Sequence, residues 1–316
     1  LSWRELNAAV SRLAQALLNE RVQPGDRVAA FLPNLPETVI GMLAATSIGA
    51  VWSSCSPDFG TQGVLDRFGQ IEPVVLIGCD GYWYNGKRID TLHKLGEIRA
   101  QLPSVRRLVV VGYLDAIPEV SAIPDAVRLD EFIAHWPAHT PEFRRQPFSH
   151  PLYIMFSSGT TGVPKCIVHR AGGVLLQHLK EHQLHCDIGA GDRVAYYTTC
   201  GWMMWNWLAS VPASGATAVL YDGSPFHPGP SALTDLAEAL QLTLLGVSAK
   251  YLDSVRKAGF VPRDHAPLAS LRTVCSTGSP LSPETNTWAV ESLPDGVHVA
   301  SISGGTDLCS CFVAGD

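Results

Sequence analysis

Residues 156–165 read Phe-Ser-Ser-Gly-Thr-Thr-Gly-Val-Pro-Lys, directly after the apolar run Leu152-Tyr153-Ile154-Met155. A strand followed by hydroxyls, two glycines and a lysine has the composition of a loop that grips a polyphosphate. Gly159 and Gly162 let the backbone turn so that its N–H groups converge on anionic oxygens. Ser157, Ser158, Thr160 and Thr161 add hydroxyl donors, and Lys165 adds positive charge. The spacing is neither Walker A nor G-x-G-x-x-G. A polar turn without a ligand, with Lys165 a surface lysine behind a turn proline, remains the alternative on composition alone.

Ser303-Gly304-Gly305-Thr306-Asp307 is the second candidate. If the ligand is ATP, an aspartate beside it is a natural Mg²⁺ ligand, because Mg²⁺ takes one or two carboxylates plus phosphate oxygens and water. The alternative is that Asp307 only caps a turn. Cys200-Gly201-Trp202-Met203-Met204-Trp205-Asn206-Trp207 packs three tryptophans into eight residues, a composition read first as core. His178, His182 and His185 fall on helical spacing; they are read as a solvated face rather than a metal site, since no carboxylate or thiol cluster completes a ligand shell.

The elements that must position these residues alternate. Trp3, Leu6, Val10, Leu13 and Leu17 predict a helix to about residue 20, followed by a strand at 27–32 and a helix at 36–48 that ends at Gly49. Val74–Ile77 and Leu108–Val111 read as buried parallel strands. Residues 136–151 hold four prolines in sixteen positions and predict a linker separating a lobe 1–135 from a lobe 152–316. Beyond it come strand 152–156, helix 172–184, strand 193–197, helix 203–210 and strand 216–221. Helix 231–240, strand 242–247, helix 248–258, strand 271–275, helix 282–291 and strand 297–302 follow. This predicts an α/β fold of open, mostly parallel sheets covered by helices. The segments 157–165, 276–281 and 303–307 each follow the carboxyl end of a strand, where such sheets bind ligands.

Composition narrows the function. The 316 residues are 46% apolar with net charge −6, which supports a large core and argues against a nucleic-acid partner. No apolar stretch reaches the roughly 20 residues that cross a bilayer, so no membrane partner is expected. The chain opens without Met or leader and stops in mid-pattern, and is expected to be an excerpt of a longer polypeptide. Eight cysteines without a C-x-x-C pair predict reduced thiols in a cytoplasmic enzyme.

The phosphate-loop string resembles that of the adenylate-forming superfamily of acyl- and aryl-CoA synthetases, luciferases and peptide-synthetase adenylation modules. The resemblance covers nearly the whole chain. Pro24-Gly25-Asp26-Arg27-Val28, Leu32-Pro33-Asn34 and Ile48-Gly49-Ala50-Val51 look like the opening of that fold. Gly278-Ser279-Pro280-Leu281 resembles its adenine-contacting turn, and Thr306-Asp307 stands where the family usually has Thr-Glu. Within the superfamily, Ser53–Gly60, Asp80–Lys87 and Ser303–Asp307 look most like ligases that activate acetoacetate.

The resemblance implies ATP, Mg²⁺ and coenzyme A. Ser157–Gly162 and Lys165 would hold the β- and γ-phosphates, Thr306 the α-phosphate and Asp307 the metal. Gly278, Ser279 and Pro280 would wall the adenine; Ser301, Ile302, Ser303, Gly304 and Gly305 would flank the nucleotide. Trp202, Met203, Met204 and Trp205 would line the acyl pocket. Gly304 replaces a tryptophan that closes that pocket in acetyl-CoA synthetases, implying room for a four-carbon keto acid. Lys87, with Arg88 beside it, matches the basic contact for the CoA 3′-phosphate. The implied reaction forms an acyl-adenylate and pyrophosphate, then transfers the acyl group to CoA and releases AMP. A smaller C-terminal domain carrying an essential lysine has no match here, so residues 1–316 alone are expected to be nearly inactive. Three alternatives stay open: another short-chain acid such as propionate, butyrate or 3-hydroxybutyrate; a non-catalytic nucleotide-binding module; and a phosphotransferase.

Overall fold

The computed structural model describes residues 1–157 and 162–315. The chain divides into two compact units. One comprises Leu1–Trp83, Arg88–Gly173 and Thr199–Gly201, the other Tyr84–Lys87, Val174–Thr198 and the chain from Trp202 onward.

In the first unit the helix Trp3–Asn19 starts on a capping box, with Ser2 accepting from the Glu5 backbone while the Glu5 carboxylate accepts from Ser2 N–H; Val10, Leu13 and Leu17 turn inward. The strands are β1 (Arg27–Phe31), β2 (Val51–Cys55), β3 (Val75–Cys79), a hairpin of β4 (Gly81–Tyr84) and β5 (Lys87–Asp90), β6 (Arg107–Val111), β7 (Ala126–Arg128), β8 (Pro151–Ser157) and β9 (Lys165–Arg170). Seven form one sheet in the order β7-β6-β3-β1-β2-β8-β9, parallel except for the antiparallel β8–β9 pair. All five residues of β3 are buried, as a central parallel strand covered on both faces requires. Phe31, Val64, Phe68, Leu76, Leu95 and Leu108 lie in its core.

The second unit has five parallel strands: β10 (Arg193–Tyr196), β11 (Thr217–Val219), β12 (Leu244–Ser248), β13 (Thr273–Thr277) and β14 (His298–Ser301), in the order β11-β10-β12-β13-β14. An antiparallel hairpin, β15 (Ser303–Gly305) with β16 (Ser310–Val313), follows β14. The helices Ala232–Ala239, Ala249–Lys257 and Pro283–Ser292 close the core around Leu245, Val247, Leu252 and Val274.

Two expectations need correction. The Pro-rich stretch 136–151 lacks regular structure up to β8, but it does not separate the units: β8 and β9 complete the first sheet, and the division falls at Gly173. Proline content marks where elements stop and carries no information about which sheet the next strand joins. Nor do the histidines form a solvated face. His178 and His182 are 0% exposed, whereas Leu176 and Leu184 on the same segment are 62% and 76% exposed. The helix Ala171–Lys180 and the π-helical turn Glu181–His185 turn their polar stripe inward because hydrogen-bonding partners await it there.

Candidate active site

The proposed phosphate loop is the connection of a β-hairpin in the first unit. Ser157 and Lys165 are register partners across β8–β9, so the hydroxyl and the ammonium are presented at one end of the ladder. Ser158, Gly159, Thr160 and Thr161 lie outside the described residues. Gly162 has φ +149°, a backbone state that side-chain-bearing residues rarely adopt. The loop's return arm is pinned to the helix Thr61–Ile71, where Gln70 Nε2 donates to the Pro164 carbonyl at 2.8 Å. Lys165 is exposed and makes no ion pair among the described residues. Reading the sequence missed β9. Its signal is weak, a short alternation in which Ile167 and His169 turn inward while Cys166 and Val168 are exposed.

In the second unit the adenine-turn and metal candidates come together. After β13, Gly278 turns with φ +90° and Ser279 and Pro280 are exposed. Ser301 is the register partner of Ser276. Ile302 N–H donates to the Ser276 carbonyl at 2.7 Å and Thr277 Oγ1 to the Ile302 carbonyl at 3.1 Å, binding the turn to the start of the hairpin. The hairpin reverses through residues 306–309, with Leu308 N–H donating to the Gly305 carbonyl and Cys309 N–H to the Thr306 carbonyl, both at 3.2 Å. Asp307 is exposed at the tip and forms no ion pair among the described residues. Gly304 has its own structural reason, independent of any acyl pocket. A Cβ there would lie 2.2 Å from the Ser310 carbonyl oxygen and 2.7 Å from Cys311 Cα, whereas at Gly305 the same direction is open.

The acyl-wall candidates are divided by burial. Trp202 is 64% exposed ahead of the helix Met203–Ala209, while Trp205 is wholly buried. Met203, Met204 and Ile302 pack on one cluster with Trp207 and Tyr196, so three of the residues named from sequence share a neighbourhood. Lys87 is exposed after an Asn85-Gly86 turn with φ +52° and +73°, the Asn-Gly hairpin signature. Gly86 faces the His227 ring, where a Cβ would come within 2.7 Å. Arg88 pairs with Asp115.

Sequence reasoning missed the polar network behind the hairpin. Glu181 Oε1 accepts from Gln177 Nε2 (2.6 Å), Ser310 Oγ (2.7 Å), Cys311 N–H (3.0 Å) and Cys311 Sγ (3.0 Å); Oε2 accepts from the Trp207 indole N–H (3.1 Å). Burial alone would push the Glu181 carboxyl up, but hydrogen bonds from Cys311, Ser310 and Gln177 outweigh it and hold it below the ordinary range. His178 Nε2–H donates to the Cys309 carbonyl (3.2 Å), and His182 Nε2–H to the Trp207 carbonyl (3.2 Å). Burial, then the neighbouring His178, lowers His182 to about 4, so it is neutral. The sequence signal was present: Gln177/Glu181 and His178/His182 repeat at i, i+4 with Leu on the other face.

The AMP-binding enzyme family matches residues 1–316, and the chain belongs to that family. An acetoacetyl-coenzyme A synthetase of Rhizobium meliloti (strain 1021) is 57% identical over 317 residues, covering 100% of this chain and 48% of that protein. A malonamoyl-CoA synthetase of Penicillium aethiopicum is 42% identical, covering 99% of this chain and 46% of its own length. The structure of an acetoacetyl-CoA synthetase from Streptomyces lividans superposes with a TM-score of 0.93 at 44% identity, over 99% of this chain and 48% of that one. The chain thus spans about half the length of the relatives it matches, and its α/β fold of mostly parallel open sheets is theirs.

Proposed function

We propose that the full-length protein is an ATP-dependent acid–thiol ligase that converts acetoacetate and CoA into acetoacetyl-CoA, AMP and pyrophosphate. The observation that carries this reading is the edge of the second unit. In a chain of the AMP-binding family, the Gly278 turn follows β13, and the hairpin whose tip carries Thr306 and Asp307 follows the adjacent parallel strand β14.

In the first step a carboxylate oxygen attacks the α-phosphorus of ATP and the bond to pyrophosphate breaks. One anion must approach another, so catalysis rests on donors and positive charge aimed at the phosphates. Lys165, the hydroxyls of Ser157, Ser158, Thr160 and Thr161, and the amides of Gly159 and Gly162 hold the β- and γ-phosphates; Thr306 donates to the α-phosphate. Gly278, Ser279 and Pro280 face the adenine, with residues 301–305 on its other side. An exposed carboxylate with no ion pair among the described residues fits a hard divalent cation, so Asp307 would hold Mg²⁺, which would supply charge neutralisation at the phosphates when bound. In the second step the CoA thiolate attacks the acyl carbon and the bond to AMP breaks, with Lys87 contacting the 3′-phosphate. The eight free thiols support a cytoplasmic setting, and no described helix is long and apolar enough to cross a membrane.

The relative named for malonamate favours a broader reading of the acid. Acetoacetate and malonamate share a carbonyl group β to the carboxylate and differ by CH₃ against NH₂. Trp202, Met203, Met204 and Trp205 would wall a pocket for this class, the two Met side chains adapting to its shape. The test is product analysis of the full-length protein with ATP, Mg²⁺, CoA and acetoacetate. AMP and pyrophosphate with acetoacetyl-CoA are expected; release of ADP would identify a phosphotransferase, and ATP binding without turnover a regulatory module.

A further inference from the structure

We propose that Glu181 is a positioning residue of the adenylation site, a buried carboxylate that clamps the hairpin bearing Thr306 and Asp307 to the helix bearing Met203 and Met204. The inference rests on the function proposed above.

Glu181 is 5% exposed, and the five groups on its two oxygens are all donors. On one side they come from Ser310 and Cys311, the register partners of Gly305 and Gly304, so the carboxylate grips β16 directly opposite the two residues that lead into Thr306. On the other side the donor is Trp207, which lies one helical turn beyond Met203 and Met204 and shares their cluster. His178, one turn before His182 on the same helix, holds the Cys309 carbonyl and so pins the hairpin's turn next to the same grip. The hairpin has only three and four residues in its strands and would have little rigidity of its own. Without this anchorage Asp307 would be a carboxylate on a loose tip. Only an ionised carboxylate satisfies five donors; an amide of the same shape brings two N–H groups, at least one of which must face a donor. Glu181 opens a π-helical turn, a local widening that recurs at functional sites.

The experiment uses the full-length protein and Glu181→Gln, read by acetoacetate-dependent ATP–pyrophosphate exchange, thermal unfolding and backbone hydrogen exchange over residues 303–313. In a folded variant, kcat for exchange is expected to fall about 10- to 100-fold, as removal of supporting partners around a metal or catalytic group does. KM for ATP should stay within about threefold, since the donors on Glu181 come from Gln177, Trp207, Ser310 and Cys311, none of them a phosphate-binding candidate, and the Cys311 amide should lose protection. Unchanged kcat together with unchanged protection of 303–313 overturns the proposal. If Glu181→Gln does not fold, Ser310→Ala, which deletes one donor, decides in the same way: faster hairpin exchange with lowered kcat supports the clamp, and wild-type values for both sink it. Should the wild-type protein show no exchange with any acid, the ligase reading fails by itself. Hydrogen exchange of the hairpin in Glu181→Gln then still judges the clamp, loosening supporting it and unchanged protection refuting it.

Discussion

Asp307 and Gly304 stand three residues apart and ask opposite things of the chain. Asp307 must keep its oxygens accessible; Asp307→Asn keeps its size and removes its charge. If it holds Mg²⁺, pyrophosphate exchange by the full-length protein should fall about 100-fold or more while the unfolding midpoint stays put, the scale seen when one aligned electrostatic partner is lost. Equal exchange rates at saturating Mg²⁺ would assign the aspartate to turn capping. Gly304 must have no side chain at all, because the Ser310 carbonyl occupies the place of a Cβ. Gly304→Ala should cost about 1–3 kcal/mol in urea unfolding, as overpacking against backbone does, whereas Gly305→Ala, facing open space, should be nearly neutral. Equal effects of the two would show that the hairpin yields at β16. Departure from the family pattern drew attention to Gly304 in the sequence, but the reason visible there, a larger acyl pocket, was a different one from the steric reason the structure supplies.

At the scale of elements, the alternation of strands and helices was legible because central parallel strands are buried on both faces and read as short apolar runs. Pairing was not. β9 returns antiparallel beside β8, and β15–β16 is built from a Ser-Gly-Gly strand with no apolar pattern to betray it. The segment 171–185 was legible as a helix but with its faces exchanged, because Gln, His and Glu at helical spacing usually face water. Their inward orientation has a measurable consequence. His182 titrates at about 4 in the folded chain, from an ordinary 6.5. Between these values the unfolded chain binds a proton that the folded chain refuses, so stability is fully present above about pH 6.5 and is lost as pH falls toward 4. The full loss is on the order of 3 kcal/mol for this group. Glu181, held below the ordinary carboxyl range, adds loss of the same sign at lower pH. Urea unfolding across this window should show the slope in the wild-type chain and a flatter one in His182→Gln. A wild-type stability that is level through the window would mean His182 is accessible to protons when folded.

At the scale of the whole molecule, the carboxyl ends of the parallel strands stand out most clearly in the sequence. Chemistry-capable residues cluster there in any open parallel sheet, and glycine, hydroxyl and carboxylate at those ends stand out against apolar strands. What a strand-end motif does not encode is the acid. Acetoacetate and malonamate present the same β-carbonyl to a pocket and nearly the same volume, whereas butyrate lacks the carbonyl and 3-hydroxybutyrate replaces it with a tetrahedral donor. A site that hydrogen-bonds the β-carbonyl rejects analogues lacking it far more strongly than it separates CH₃ from NH₂, because an unpaired buried donor is costly while a change of terminal group in an adaptable wall is not. With the full-length protein, acetoacetate and malonamate should therefore have kcat/KM values within about 100-fold of each other, and butyrate should lie about 10⁴-fold or more below acetoacetate. A pocket that merely measures length would instead place butyrate beside acetoacetate, and that ranking would return the acid specificity to the open short-chain class. Residues 1–316 alone should form acyl-adenylate at a small fraction of the full-length rate with every acid, since they span about half of the relatives' length. Comparable adenylation by this segment would show that the two units described here contain the whole first-step machinery.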